Sequence, residues 1–197
     1  GWGHLGRRLG RRLLRPLSKE ELIEKAEAAT SADDHPTARV FLARVLDREP
    51  GNAEAREKLV RVLASLGELE EASAQAKTLA HGYRDAGELA KAIEVYEQAA
   101  GFIPSDTSVR EVLVDLHLEQ GDREDSIRAA RTLEAKYIEL GMPLKIAAVY
   151  RKILEKWPRE VDVTTSLGEA LASGGKPLEA AAALRAAARL YQRQGNE

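Results

Sequence analysis

Glycine recurs along this chain at a spacing that few folds accommodate. Gly67, Gly87, Gly121, Gly141, Gly175 and Gly195 are separated by 20, 34, 20, 34 and 20 residues, and Pro50, Pro104 and Pro158 repeat every 54. Cutting at the glycines leaves three 34-residue segments (34–67, 88–121, 142–175) and three 20-residue segments (68–87, 122–141, 176–195) that align without gaps. Tyr83, Tyr137 and Tyr191 share one register in the short segments, and a weaker copy over 14–33 has Asp33 in the glycine position. A period of this length marks a chain of stacked supersecondary units, each burying its apolar face against its neighbours.

Every segment reads as helix. Leu69, Ala72, Ala76, Leu79, Ala80 and Tyr83 recur at steps of three or four, the apolar face of a 3.6-residue period. Glycine after such a stripe suits the left-handed residue that ends a helix. Pro50, Pro104 and Pro158 follow predicted helix ends, whereas Pro16, Pro36, Pro143 and Pro177 stand near predicted starts, where the missing N–H costs little. The unit is therefore three helices, predicted at about 53–66, 68–86 and 88–101. Short connections reverse the chain, so an odd number of helices inverts alternate units unless the proline junction carries a crossover; both geometries stay open. The expected organisation is a basic segment (1–17) followed by an all-α solenoid (18–197), in units of about 14–67, 68–121 and 122–175 and a partial unit 176–197.

Within 73–106, Leu79, Ala80, Tyr83, Gly87, Ala92, Tyr96, Ala99 and Pro104 stand at the spacing of the tetratricopeptide repeat, a 34-residue helix–turn–helix module of interaction scaffolds, and the segment resembles that family. The segment 127–160 keeps Leu133, Tyr137, Gly141, Tyr150 and Pro158 but has Glu134 and Ile146 at small positions. A third frame, on Leu59, Val60, Leu63, Gly67, Ala72, Ala76 and Leu79, shares a helix with the next, which tandem arrays of the family do not do. The resemblance implies a tetratricopeptide-like helical-repeat solenoid, a non-enzymatic role in binding a protein or peptide, and a place in a larger bacterial scaffold. After Gly195 the pattern calls for a further helix.

The residues offer little chemistry. His4, His35, His81 and His117 show no spacing that sets two metal ligands on one helix face, and His117 takes the slot of Leu63 and Leu171, which suits a core or boundary residue. "GGKP" (174–177) lacks the spacing of a phosphate loop, "GDREDS" (121–126) lacks the terminal glutamate of a calcium loop, and no Ser or Thr has a neighbouring His. No catalytic, cofactor or metal site is expected. The absence of cysteine fits a reducing, cytoplasmic setting, and no apolar run approaches the roughly 18 residues of a membrane span.

Charge says more. In the resembled family, peptides lie along a groove lined by first-helix positions. Carried over, these positions give Lys77, His81, Arg84 and Asp85; Arg128, Arg131 and Glu139; and Arg185, Arg189, Gln192 and Arg193. On the helices after the prolines they give Glu54, Glu57 and Arg61; Glu111, Asp115 and Glu119; and Asp162 and Glu169. One reading is a basic stripe that takes an acidic peptide or partner helix. The competing reading is solvated helix faces joined by weak internal ion pairs. His81 and Ala135 occupy the slot where a carboxylate clamp would have asparagine, which disfavours a chaperone C-terminus as ligand. Self-assembly through exposed solenoid ends is an alternative role.

The leader has a different character. Residues 1–17 hold Arg7, Arg8, Arg11, Arg12 and Arg15 with no acid, and Leu5, Leu9 and Leu13 lie four apart. As a helix it would be a cap over the first unit, a membrane-surface or partner-docking anchor using Trp2 and the arginines, or a nucleic-acid contact, the last without interleaved aromatics to support it. It lacks the apolar region of a secretory signal.

Overall fold

The computed structural model describes residues 16–195, which form ten α-helices and no strand. They are α1 (Lys19–Ser31), α2 (His35–Arg48), α3 (Ala53–Ser65), α4 (Leu69–Asp85), α5 (Leu89–Phe102), α6 (Thr107–Gln120), α7 (Arg123–Glu139), α8 (Pro143–Lys156), α9 (Val161–Ser173) and α10 (Pro177–Gln194). The three helices placed from sequence at 53–66, 68–86 and 88–101 are α3, α4 and α5, with ends that move by a residue or so.

Local chemistry sets the boundaries. Ser18 accepts from the Glu21 N–H at 3.2 Å while the Glu21 carboxylate accepts from the Ser18 N–H at 2.7 Å, a reciprocal cap that starts α1. Asp34, Asn52, Asp106 and Asp122 cap α2, α3, α6 and α7 through their side chains. Where a proline follows, the residue before it is forced out of the helix: Glu49, Ile103 and Trp157 lie at φ −131°, −125° and −128° with ψ near 80°. At the other helix ends the backbone turns left-handed at Gly67, Gly87, Gly121, Gly141 and Gly175, and Asp33, at φ 60°, does the same with a side chain. Gly195 departs from the expected rhythm. Its φ is −77° and its N–H bonds the Tyr191 carbonyl, so the chain there still follows α10.

The described residues fall into two compact units, up to Gln75 and from Ala76 onward. In the first, Leu22 and Ala26 of α1, Leu42 and Val45 of α2 and Leu59, Val62 and Leu63 of α3 form one core with Ala72. In the second, Leu133 and Tyr137 of α7, Ile146, Tyr150 and Ile153 of α8 and Val163, Leu167 and Leu171 of α9 form another. Each large apolar side chain buried there contributes roughly 1.5–3 kcal/mol. Consecutive helices pack on one another from α1 to α3 and from α5 to α10, and α6 also touches α8. α9 packs closely on α10: a methyl group on Gly168 would lie 2.7 Å from Leu184 Cγ, and one on Gly174, at the end of α9, would lie closer still to Leu144 Cδ2. His117 is buried, as its register with Leu63 and Leu171 implies.

Candidate partner-binding surface

The helices that carry the predicted basic residues treat them differently. On α4, Lys77 Nζ lies 3.1 Å from Asp106 Oδ2 and donates to Ser108 Oγ at 2.9 Å. Burial alone would raise the Asp106 carboxyl, but hydrogen bonds from Ser108 and Lys77 outweigh it and hold the group below the usual carboxylate range. Arg84 forks onto both oxygens of Glu119, with Nε at 3.0 Å from Oε2. His81 is exposed and meets the Tyr96 ring edge-on at 6.4 Å between centroids.

On α7, Arg131 donates to Glu134 Oε2 at 3.3 Å, to the Tyr150 hydroxyl at 3.1 Å and to Ser166 Oγ, with its guanidinium 5.5 Å from the Tyr150 ring centroid. Burial opposes the Arg131 charge; Tyr150 and Glu134 more than offset it and hold the guanidinium above its ordinary value. Burial, then the Glu134 carboxylate, pushes the Tyr150 phenol well above its ordinary value. Arg128 reaches only Asp125, one turn away on its own helix. The predicted acidic positions on α3 and α6 are paired too: Glu57 with Arg61, Glu54 with Lys58, Asp115 with Lys152, and Glu111 with the Tyr137 hydroxyl, whereas Asp162 and Glu169 of α9 have no partner among the described residues.

On α10 the pattern breaks. Arg185 donates only to the Ala181 carbonyl of its own helix, at 3.2 Å, although it shares register with Lys77 and Arg131. Arg189 and Arg193 are exposed and have no partner among the described residues. Leu178, Leu184 and Tyr191 of the same helix are also exposed, Tyr191 at 72%. Its counterpart Tyr137 is 1% exposed, because α8 covers it and Lys145 of that helix sits 5.9 Å from its ring centroid. The structure therefore separates a stripe that sequence reads as uniform. Lys77, Arg84 and Arg131 tie helices together, and Arg185, Arg189 and Arg193 have no interhelical partner among the described residues. Trp2, Arg7, Arg8, Arg11, Arg12 and Arg15 lie outside the described residues.

A second surface escaped the sequence reading. Ile138, Leu140, Met142 and Leu144 are 66%, 48%, 46% and 43% exposed around the turn from α7 to α8. The signal was present, since the aligned residues at the turn from α4 to α5 are Arg84, Ala86, Glu88 and Ala90. Among the described residues no three His, Asp or Glu side chains gather in a metal-holding cluster, and no helix is long and apolar enough to cross a membrane.

Two tetratricopeptide repeat family models match the chain, over residues 29–86 and 147–194, together a little more than half of it. No curated protein matches. Similar solved structures include a crystal structure of MamA protein, 16% identical over 90% of this chain and 94% of that one, with a TM-score of 0.31. TTC0263, a thermophilic tetratricopeptide protein of Thermus thermophilus, is 19% identical over 78% and 99%, also at 0.31. YrrB, described as a tetratricopeptide protein with an unusual peptide-binding site, is 14% identical over 88% and 86%, at 0.30. Scores of this size transfer no residue roles.

Proposed function

Because the chain belongs to the tetratricopeptide repeat family, all-α helical-repeat solenoids that serve protein–protein interaction, we propose that it is a non-enzymatic interaction module holding an acidic helix or peptide of its partner against α10. One observation carries this reading: Arg185, Arg189 and Arg193, spaced four apart along one face of α10, lack the interhelical partners that occupy Lys77, Arg84 and Arg131. Arginine is among the residue types that dominate binding energy at protein interfaces. The internal pairs supply the chemical precedent, since the same basic register meets Asp106 and Ser108 from α4 and Ser166 from α7. A partner helix with carboxylates on one face would complete for α10 what α6 and α9 complete for α4 and α7. A cytoplasmic setting, expected from the cysteine-free sequence, belongs to the same reading.

The 54-residue, three-helix unit is part of the proposal. Helix starts at His35, Leu89 and Pro143, at Ala53, Thr107 and Val161, and at Leu69, Arg123 and Pro177 support it.

The test is affinity capture with the wild-type chain and with an Arg185→Glu, Arg189→Glu, Arg193→Glu variant of matched melting temperature. A specific partner should bind the wild type, bind the variant at least tenfold more weakly, and dissociate from the wild type as salt is raised. Equal capture by both proteins would remove α10 as the site.

A further inference from the structure

We infer that the hollow enclosed by α7, α8 and α9 is a socket for an arginine side chain of a partner peptide, a site distinct from the arginines of α10. The hollow measures about 430 Å³. Ile138, Pro143, Ile146 and Ala170 give it apolar walls, and its charged lining residues are Glu134 and Glu169, with no cation among the described residues that line it. Glu134 accepts from Arg131 at 3.3 Å, while Glu169 is exposed and has no partner among the described residues. An unpaired carboxylate beside an apolar wall is complementary to a side chain with an aliphatic stem and a cationic head.

The repeat itself shows which cation fits. Moving 54 residues back, Arg84 stands at the position of Ile138 and Glu119 at that of Ser173. There the arginine crosses from α4 and forks onto the glutamate of α6. Moving 108 residues back reaches a hollow of about 400 Å³ between α1, α2 and α3. Ala26, Thr30, Val62 and Ser65 line it at the positions of Glu134, Ile138, Ala170 and Ser173. The hollow therefore persists where this pair of positions carries shorter side chains, Thr30 with Ser65 and Ile138 with Ser173. Where the pair is Arg84 and Glu119, the chain's own guanidinium spans the same gap.

Charge, unlike the hollow, does not follow from the repeat. Glu169 is matched by Arg61 and Glu134 by Ala26, so the first hollow sets Arg61 and Lys58 against the single carboxylate of Glu27. Glu169 also differs from its nearer mate, Asp115, which Lys152 holds at 2.8 Å. The third copy thus keeps an unpaired carboxylate and lacks the arginine that the second copy supplies from within. A partner's arginine would lay its stem along Ile138 and Ile146. Its planar, five-donor head would then meet Glu169 and the remaining lone pairs of Glu134.

The experiment titrates N-acetyl-arginine amide into the full chain and follows the methyl resonances of Ile138 and Ile146 by NMR. Both should shift along one saturable curve. N-acetyl-citrulline amide, which has the same shape without the charge, should leave them in place. Glu169→Gln should weaken binding roughly three- to fivefold, and Glu169→Arg, which copies the Arg61 wall, roughly tenfold or more. An Ile138→Arg, Ser173→Glu variant transplants the Arg84–Glu119 pair into the socket. It should abolish the shift at Ile146 with an unchanged helical spectrum. No saturable shift in the wild type, an equal response to the citrulline compound, full affinity in Glu169→Gln, or full binding by the transplanted pair would each overturn the assignment.

Discussion

Helices α7 and α10 share a register and three marker residues yet end in opposite environments. Arg131 and Arg185, Tyr137 and Tyr191, and Gly141 and Gly195 are register mates. On α7 the arginine has three side-chain partners, the tyrosine is buried and the glycine is left-handed. On α10 the arginine bonds only its own backbone, the tyrosine is exposed and the glycine keeps helical geometry. These three residues are the same types at the same spacing. What differs is the next helix: α8 covers Tyr137, and no described element covers Tyr191. In a helical repeat, whether a side chain is core or surface is decided by its neighbour.

The largest test of this contrast is the tyrosine pair. Tyr137→Ala should cost about 3–5 kcal/mol in urea unfolding, as expected for emptying a large aromatic site in a packed core. Tyr191→Ala should stay within roughly 0.5 kcal/mol, the range of exposed substitutions. Equal losses would erase the contrast.

Next come the arginines. Arg131→Ala strips a partner from Tyr150 and Ser166 and should cost about 1–2 kcal/mol, with Arg185→Ala near zero by the same measurement. A costly Arg185→Ala would mean that α10 is held by contacts other than those described.

The glycines should differ in sign. At Gly141, φ 66° makes any Cβ unfavourable although nothing lies within 4 Å of it, so Gly141→Ala should lose about 1–2 kcal/mol of stability. At Gly195, where φ is −77°, Gly195→Ala should instead be neutral or stabilise by up to about 1 kcal/mol. Asp33, at φ 60°, extends the series from the other side: Asp33→Gly should raise the thermal midpoint slightly, gaining up to about 1 kcal/mol. A loss there would mean that the contact of 3.0 Å from Asp33 to His35 matters more than the backbone.

Helix ends were legible in the sequence because glycine and proline impose them through φ and the missing N–H, with no help from the rest of the chain. Even Asp33 could be placed, since its position in the period demanded a left-handed residue whatever the side chain. Gly195 was misjudged by the same logic, for a glycine permits that conformation without enforcing it. The fate of the basic stripe was not legible. Arg84 and Glu119 are 35 residues apart, and only packing decides that they fork together while Arg189 finds no partner among the described residues. The patch at Ile138–Leu144 was missed because each residue is ordinary alone; it stands out only when laid beside Arg84–Ala90.

The packing of consecutive helices also governs how the chain reaches its fold. In the core of the second unit, α7, α8 and α9 meet across single turns, so no distant strand must be found before burial begins. Closing short loops costs little entropy, and low contact order gives rapid folding. In the first unit, α1 to α3 and Ala72 already complete a core within the residues up to Gln75. A chain emerging from the ribosome can therefore bury that apolar surface while α5 to α10 are still being made, which shortens the time it is exposed to aggregation.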